Sequence, residues 1–285
     1  MIEVRNLRTY YSSGILRRTE VRAVDGVSLE IEKGTTLGLV GESGCGKTTL
    51  GRSLLRLIEP TDGQVFIDGV EITGLSRSEL RRFRPRMQMI FQDAYASLNP
   101  RIRMYDSIAE PLRLMKRGDR AGIDRRVREL IARVGLNEDL LNRRPYELSG
   151  GQNQRVVLAR ILSLEPDFIV ADEPTSSLDV SVQAQILTLF RALARDCDTT
   201  CLFISHDIGV IRAMSDQVAI MVKGRIVEIG PTSDVLDHPC HWYTRRLVAA
   251  STRDADVPPS LPESPSGGMP EMVEVHPGHW VEVRA

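Results

Sequence analysis

The residues with the clearest chemical purpose are G-E-S-G-C-G-K-T at 41–48. They fit G-x-x-x-x-G-K-[ST], a loop whose backbone N–H groups turn inward around a β-phosphate. An apolar run at 36–40 precedes the loop and an amphipathic stretch at 48–58 follows it. A strand and a helix should flank such a loop in that order, and the helix N-terminus adds partial positive charge. Gly41, Ser43, Gly44, Cys45 and Gly46 would form the cradle. Lys47 would supply a point charge to the β- and γ-phosphates. Thr48 would offer its hydroxyl to Mg²⁺, and Thr49 a further phosphate contact. Cys45 is expected to be a thiol of lowered pKa whose modification blocks nucleotide, because it sits at a helix N-terminus.

Two carboxylates, Asp172 and Glu173, end the apolar run at 168–171. A carboxylate at a strand end beside a phosphate loop can hold Mg²⁺ through water, which is the place of Asp172. Glu173 can orient or deprotonate an attacking water. By itself such a pair also suits a helix start or a surface turn. L-S-G-G-Q at 148–152 precedes a helical run at 153–162. Ser149, Gly150, Gly151 and Gln152 present a second helix N-terminus to an anion. Ser149 is also a favoured residue for an ordinary N-cap.

Positioning these groups requires strands and helices in alternation. Residues 1–35 suggest short strands. D-G at 68–69 between apolar alternations predicts a hairpin over 64–72. Residues 76–163 are mainly helical in pattern, with interruptions at Pro85, Pro100, Pro111 and Pro145. Apolar spacing predicts a helix over 181–195. Strands are predicted at 168–171 and 201–205, and a hairpin over 218–229 turning at Lys223 and Gly224. Strand, helix and strand alternate around a helical insertion, which implies an α/β core with a parallel sheet. The stretch from 254 is rich in Pro and reads as a linker. Residues 272–283 alternate again and suggest a small hairpin or an added strand.

Composition bounds the partners. Lys plus Arg number 37 and Asp plus Glu 38, a net charge of −1, which gives no general attraction to nucleic acid. No apolar run of membrane-spanning length occurs, and the first residues lack a signal-peptide pattern. The four Cys form no C-x-x-C pair. His238, Cys240 and His241 do not have standard metal spacing, and a helix start is the better reading there.

The phosphate loop, L-S-G-G-Q and the acidic strand end, in this order, resemble the ATP-binding cassette (ABC) superfamily. The resemblance covers residues 1–250 as a cassette with a helical sub-domain at about 93–163, and leaves 251–285 as a Pro-rich extension. It implies an α/β fold with a P-loop NTPase core of mainly parallel sheet, an antiparallel β sub-domain and a helical sub-domain, and it implies ATP and Mg²⁺ as cofactors. It implies that Tyr11 stacks on adenine, with Tyr10 as the close competitor. It implies that Gln92 couples the nucleotide and its Mg²⁺ to the helical sub-domain, that Asp179 lies in the loop crossing to a partner cassette, and that His206 senses the γ-phosphate. One site would be shared by two cassettes, identical or paralogous. Asn153, where the family commonly has Arg, is a departure of modest expected effect.

Q-D-A-Y-A-S-L-N-P-R at 92–101 and D-H-P-C-H-W-Y-T-R at 237–245 resemble the dipeptide and oligopeptide importer group. That implies two transmembrane permease subunits, an extracytoplasmic solute-binding protein and a peripheral place on the cytoplasmic face of the inner membrane. Residues 95–101 would meet the permease, with Tyr95 and Leu98 as apolar anchors. Some relatives carry an iron–sulfur cluster on C-terminal Cys; residues 241–285 contain none, so no cluster is expected. The competing reading is a cassette ATPase in a soluble complex, such as one that cleaves phosphonates.

Overall fold

The computed structural model describes residues 1–13, 19–252 and 270–284. The chain forms two compact units, one of Met1–Ser76 with Thr200–Ala285, the other Arg77–Thr199.

The first unit opens with β1 (Ile2–Ser13), β2 (Thr19–Ile31), β3 (Thr36–Val40), α1 (Lys47–Leu54), β4 (Asp62–Ile67) and β5 (Val70–Glu71). An antiparallel sheet has the order β2-β1-β4-β5. Ile2, Val4 and Leu7 on β1 and Val27, Leu29 and Ile31 on β2 are buried. The expectation of short strands is corrected: β1 and β2 are long, and register shifts along the pair let them bend without ending. α1 is shorter than the amphipathic pattern suggested. It stops because Arg56 takes a left-handed φ of 50°, from which its guanidinium donates to the carbonyls of Ile72 and Leu75. The D-G hairpin is present, with φ of 48° at Asp68 and 78° at Gly69, the signs a type I′ turn requires.

The second unit contains α2 (Arg77–Phe83), β6 (Met87–Ile90), α3 (Ala94–Ser97), α4 (Met104–Leu114), α5 (Arg120–Arg133), α6 (Gly150–Leu162), β7 (Phe168–Asp172) and α7 (Val180–Asp196). β6 corrects the helical expectation for this region. Its M-Q-M-I is too short to show alternation, yet it pairs in parallel with β7 from Met87 opposite Phe168 to Ile90 opposite Ala171. Pro111 lies inside α4 and does not interrupt it. Burial of Ile108, Ala109 and Leu112 outweighs the one lost ladder bond.

The first unit resumes with β8 (Thr200–Ile204), α8 (Ile208–Met214), β9 (Gln217–Val222), β10 (Arg225–Pro231), α9 (Thr232–Asp237), α10 (Trp242–Thr252), β11 (Pro270–His276) and β12 (His279–Arg284). β3 pairs in parallel with both β8 and β9. β10 pairs antiparallel with β9, and β12 with β10. The C-terminal residues are therefore both a hairpin and an addition to the sheet. The Pro- and Gly-rich stretch at 258–268 lies outside the described residues.

Candidate functional site

The phosphate loop spans the gap between β3 and α1. Leu37, Leu39 and Val40 are fully buried and fix its start. α1 begins at Lys47 with Gly46 as N-cap and no side chain capping it. With glycine at the N-cap, no cap side chain stands between the helix N-terminus and the loop, the arrangement that suits phosphate. Gly46 has φ of 113°, and a Cβ there would stand 2.0 Å from the Ala23 carbonyl oxygen. That contact has a local cause. Thr9 pairs with Val24 and Tyr10 with Arg22, so Ala23 is the extra residue of a bulge in β2. The Lys47 ammonium donates to the carbonyls of Gly41 at 2.7 Å and Glu42 at 3.0 Å, which holds the charge at the loop. Gly224 of the β9–β10 turn donates to the Cys45 carbonyl, and Asp25 donates to Gly224 in turn.

Cys45 does not meet its expectation of a reactive thiol. It is 8 % exposed, and burial pushes its pKa up, more than the neighbouring Lys47 pulls it down.

Around the loop the two tyrosines part company. The Tyr10 hydroxyl donates to Asp25 at 2.5 Å, and the Arg22 guanidinium lies 5.3 Å from the ring centre. Tyr11 is 40 % exposed. Because the bulge lies on β2, β1 keeps its alternation, and Tyr11 shares a face with Thr9. The Thr9 hydroxyl meets that of Ser53 on α1 at 2.9 Å. His206 is exposed two residues beyond Ile204. Since Leu39 pairs with Ile204 in parallel register, His206 and the loop start leave the sheet at the same end. Asp207 caps α8 by accepting from the amides of Gly209 and Val210. One contact escaped the sequence: the Tyr243 hydroxyl of α10 accepts a hydrogen bond from the Glu42 amide at 3.1 Å.

In the second unit, the register of β6 and β7 brings Gln92 and Glu173 out at one end, each two residues past a paired position. Asp172 ends β7 and is buried. Glu173 has a left-handed φ of 47°, uncommon for a side chain of its kind. Its carbonyl accepts from both the amide and the hydroxyl of Ser176. Ser149 is a true N-cap in a capping box: its hydroxyl accepts from Gln152 N–H at 3.3 Å, and Gln152 Oε1 accepts from Ser149 N–H at 3.0 Å. Ser149 and Gly150 are nonetheless exposed. Asn153 is buried below this turn, and its amide donates to the Pro145 carbonyl at 3.0 Å. Asp179 caps α7; the Val182 amide and the Ser181 hydroxyl hold its carboxyl below the ordinary value. Packing of α6 on α7 is close enough that a Cβ at Gly151 would meet Val182 Cγ1 at 2.5 Å.

Tyr95 is exposed, but Leu98 is 2 % exposed and packs inward, so it is no surface anchor. A groove of about 420 Å³ lined by Met89, Phe91, Glu110, Leu114, Met115 and Arg160 lies in the same unit instead. No helix among the described residues is long and apolar enough to cross a membrane.

Glu228, Cys240 and His279 gather within 4.8 Å. Glu228 already accepts from the amides of Cys240 and His241 and meets His279 Nε2 at 2.7 Å. The carboxylate is thus a helix cap with most of its capacity used, not an open ion site.

The family model described as ABC transporter matches residues 24–176. The chain is 44 % identical over 293 residues to the oligopeptide transport ATP-binding protein OppF of Bacillus subtilis (strain 168), covering 99 % of this chain and 95 % of that one. It is 44 % identical over 254 residues to OppF of Lactococcus lactis subsp. lactis (strain IL1403), covering 88 % and 80 %. Its fold matches the dimeric post-hydrolysis structure of the ATP-binding cassette MJ0796 bound to ADP and Pi, with a TM-score of 0.73 and 29 % identity over 81 % of this chain and 99 % of that one. The chain belongs to the ABC transporter family and carries its ATP-binding cassette.

Proposed function

We propose that this chain binds Mg-ATP at loop 41–48, hydrolyses it as a cassette dimer, and thereby powers peptide import through a separate membrane permease. The observation that carries the reading is the loop itself. The N-terminus of α1 behind Gly46, the Lys47 ammonium and left-handed glycine backbone come together in the loop where a triphosphate would sit. Gly41, Ser43, Gly44, Cys45, Gly46, Lys47, Thr48 and Thr49 hold the phosphates. Tyr11, free of the Asp25 and Arg22 contacts that occupy Tyr10, stacks on adenine. Thr48, Gln92 and Asp172 would hold the metal: each offers an oxygen donor, the kind that suits Mg²⁺. Bound there, Mg²⁺ would neutralise charge on the β- and γ-phosphates. Glu173 takes a proton from the attacking water, and His206 contacts the γ-phosphate.

Ser149, Gly150, Gly151 and Gln152 of each cassette face the phosphate loop of its partner, with Asp179 crossing between them. Exposure of Ser149 and Gly150 supports this, because donors meant for another chain must reach the surface. The likeness to oligopeptide transport proteins over nearly the whole chain supports peptide import, which requires two permease subunits and an extracytoplasmic solute-binding protein. The groove beside Phe91 and Leu114 is the better place for a permease segment, and exposed Tyr95 lies in the chain between Phe91 and Ser97, both of which line it.

Glu173→Gln tests the reading. It should keep ATP affinity, lose turnover and accumulate an ATP-bound dimer on size-exclusion chromatography. Wild-type turnover in that variant would remove Glu173 as the base. With the permease in proteoliposomes, peptide uptake should require ATP and vanish with the variant; ATP hydrolysis without peptide uptake would refute the importer.

A further inference from the structure

The sequence singled out D-H-P-C-H-W-Y-T-R at 237–245 without giving it a task. The structure connects it to the phosphate loop on one side and to the C-terminal hairpin on the other. Glu228 on β10 is fully buried. Its Oε1 accepts from the Cys240 amide at 2.8 Å and its Oε2 from the His241 amide at 3.0 Å, so the carboxylate fixes the start of α10. His241 Nδ1 accepts from the Tyr243 amide at 3.2 Å and continues that cap. One turn in, Tyr243 is 5 % exposed, and its hydroxyl receives the amide proton of Glu42 in the phosphate loop. Burial pushes the Tyr243 pKa up to about 12, so the hydroxyl stays neutral throughout the physiological range.

The hairpin reaches the same carboxylate from the other side. His279 opens β12, is fully buried, and meets Glu228 Oε1 at 2.7 Å through Nε2. Its Nδ1 is buried with no partner among the described residues. The imidazole is therefore held in place for the Glu228 contact and for no second bond. Pairing of Glu228 with Val281 and Ile229 with Trp280 docks the strand that carries it.

We infer that Tyr243 and His279 are positioning residues for ATP binding: the C-terminal hairpin, through His279, Glu228 and α10, sets the shape of the phosphate loop by way of the Tyr243–Glu42 hydrogen bond. The inference rests on the reading that loop 41–48 holds the phosphates. The Glu42 amide lies at the start of the loop, where holding it from behind leaves the later amides to turn toward the phosphates. Loss of the hydroxyl lets the loop start relax, and ATP must then restore it on binding.

The test uses the full chain and steady-state ATP hydrolysis, with thermal melts as a control on folding. Tyr243→Phe keeps the ring and removes only the hydroxyl. It should raise KM for ATP by roughly threefold to tenfold, the worth of one such hydrogen bond, with kcat within about twofold of wild type. His279→Ala should raise KM in the same direction, and His279→Gln, whose amide nitrogen can replace Nε2, should recover most of the loss. His279→Ala in the Tyr243→Phe background should add little, because both act through one contact. A purely structural role would instead lower the melting temperature and the active fraction, leaving KM unmoved. Unchanged KM in Tyr243→Phe, or fully additive effects in the double variant, overturns the inference. If His279→Ala does not fold, the Tyr243→Phe result decides alone. Lys47→Ala keeps the two readings separate. Lost binding of a fluorescent ATP analogue there, with unchanged KM in Tyr243→Phe, refutes only the positioning chain. Wild-type binding in Lys47→Ala refutes the phosphate loop itself.

Discussion

Replacing Gly46 by Ala tests the loop geometry most sharply. The backbone at Gly46 has φ of 113°, and the added Cβ would stand 2.0 Å from the Ala23 carbonyl and 3.0 Å from Met221 Cε. An L-residue in left-handed backbone costs about 1–2 kcal/mol. The methionine can swing aside, but the carbonyl belongs to the β2 bulge and cannot, so overpacking adds about 1–3 kcal/mol. The loop escapes this strain by moving, and must return to its present shape to hold a triphosphate. The cost therefore falls on ATP binding, where about 2–5 kcal/mol corresponds to a loss of roughly 30-fold to several thousandfold. Gly44 supplies the internal control. Its φ is 81°, yet a Cβ there meets nothing within 4 Å. Gly44→Ala should carry only the backbone cost, roughly 5- to 30-fold in affinity. Isothermal titration of ATP against both variants reads the difference. Equal affinities in the two would show that contact with Ala23 does not shape the loop.

Two further outcomes follow from burial. Maleimide should label native Cys45 slowly, because its thiol is buried and its pKa raised; Cys45→Ser should leave the labelling rate of the folded chain unchanged, and a marked drop would contradict the buried thiol. Asn153→Ala should cost about 1 kcal/mol through the lost bond to Pro145, offset in part because Asn153 Oδ1 has no partner among the described residues. Calorimetric melting should show a fall of a few degrees, and an unchanged midpoint would mean that the Pro145 bond contributes nothing.

Motif geometry was legible wherever it depends on short-range order. The phosphate loop needs glycine at fixed offsets before a helix, and the linear chain displays those offsets directly. The D-G turn and the helix over 181–195 were legible for the same reason. What depends on packing was not. β6 is four residues among helices, and only its pairing with β7 makes it a strand. Leu98 looks like an anchor by type, but its burial is decided by the packing of α3 against α6. Cys45 illustrates competing effects: a neighbouring cation and a helix start lower a thiol pKa, burial raises it, and burial is a tertiary property. Tyr10 and Tyr11 are alike by type, and only the tertiary contacts of Tyr10 with Asp25 and Arg22 tell them apart. The Tyr243 contact joins residues 201 positions apart, and no local pattern announces it.

The left-handed backbone at Glu173 sets stability against purpose at a single position. A glutamate held at φ of 47° costs the fold about 1 kcal/mol relative to glycine, which adopts that region freely. Selection for heat resistance alone would favour glycine or asparagine there and would yield a sturdier cassette without its proposed base. If Glu173 is the base proposed here, a gain in stability at this position removes turnover, and directed evolution of this chain for thermal tolerance should screen for ATP consumption from the first round.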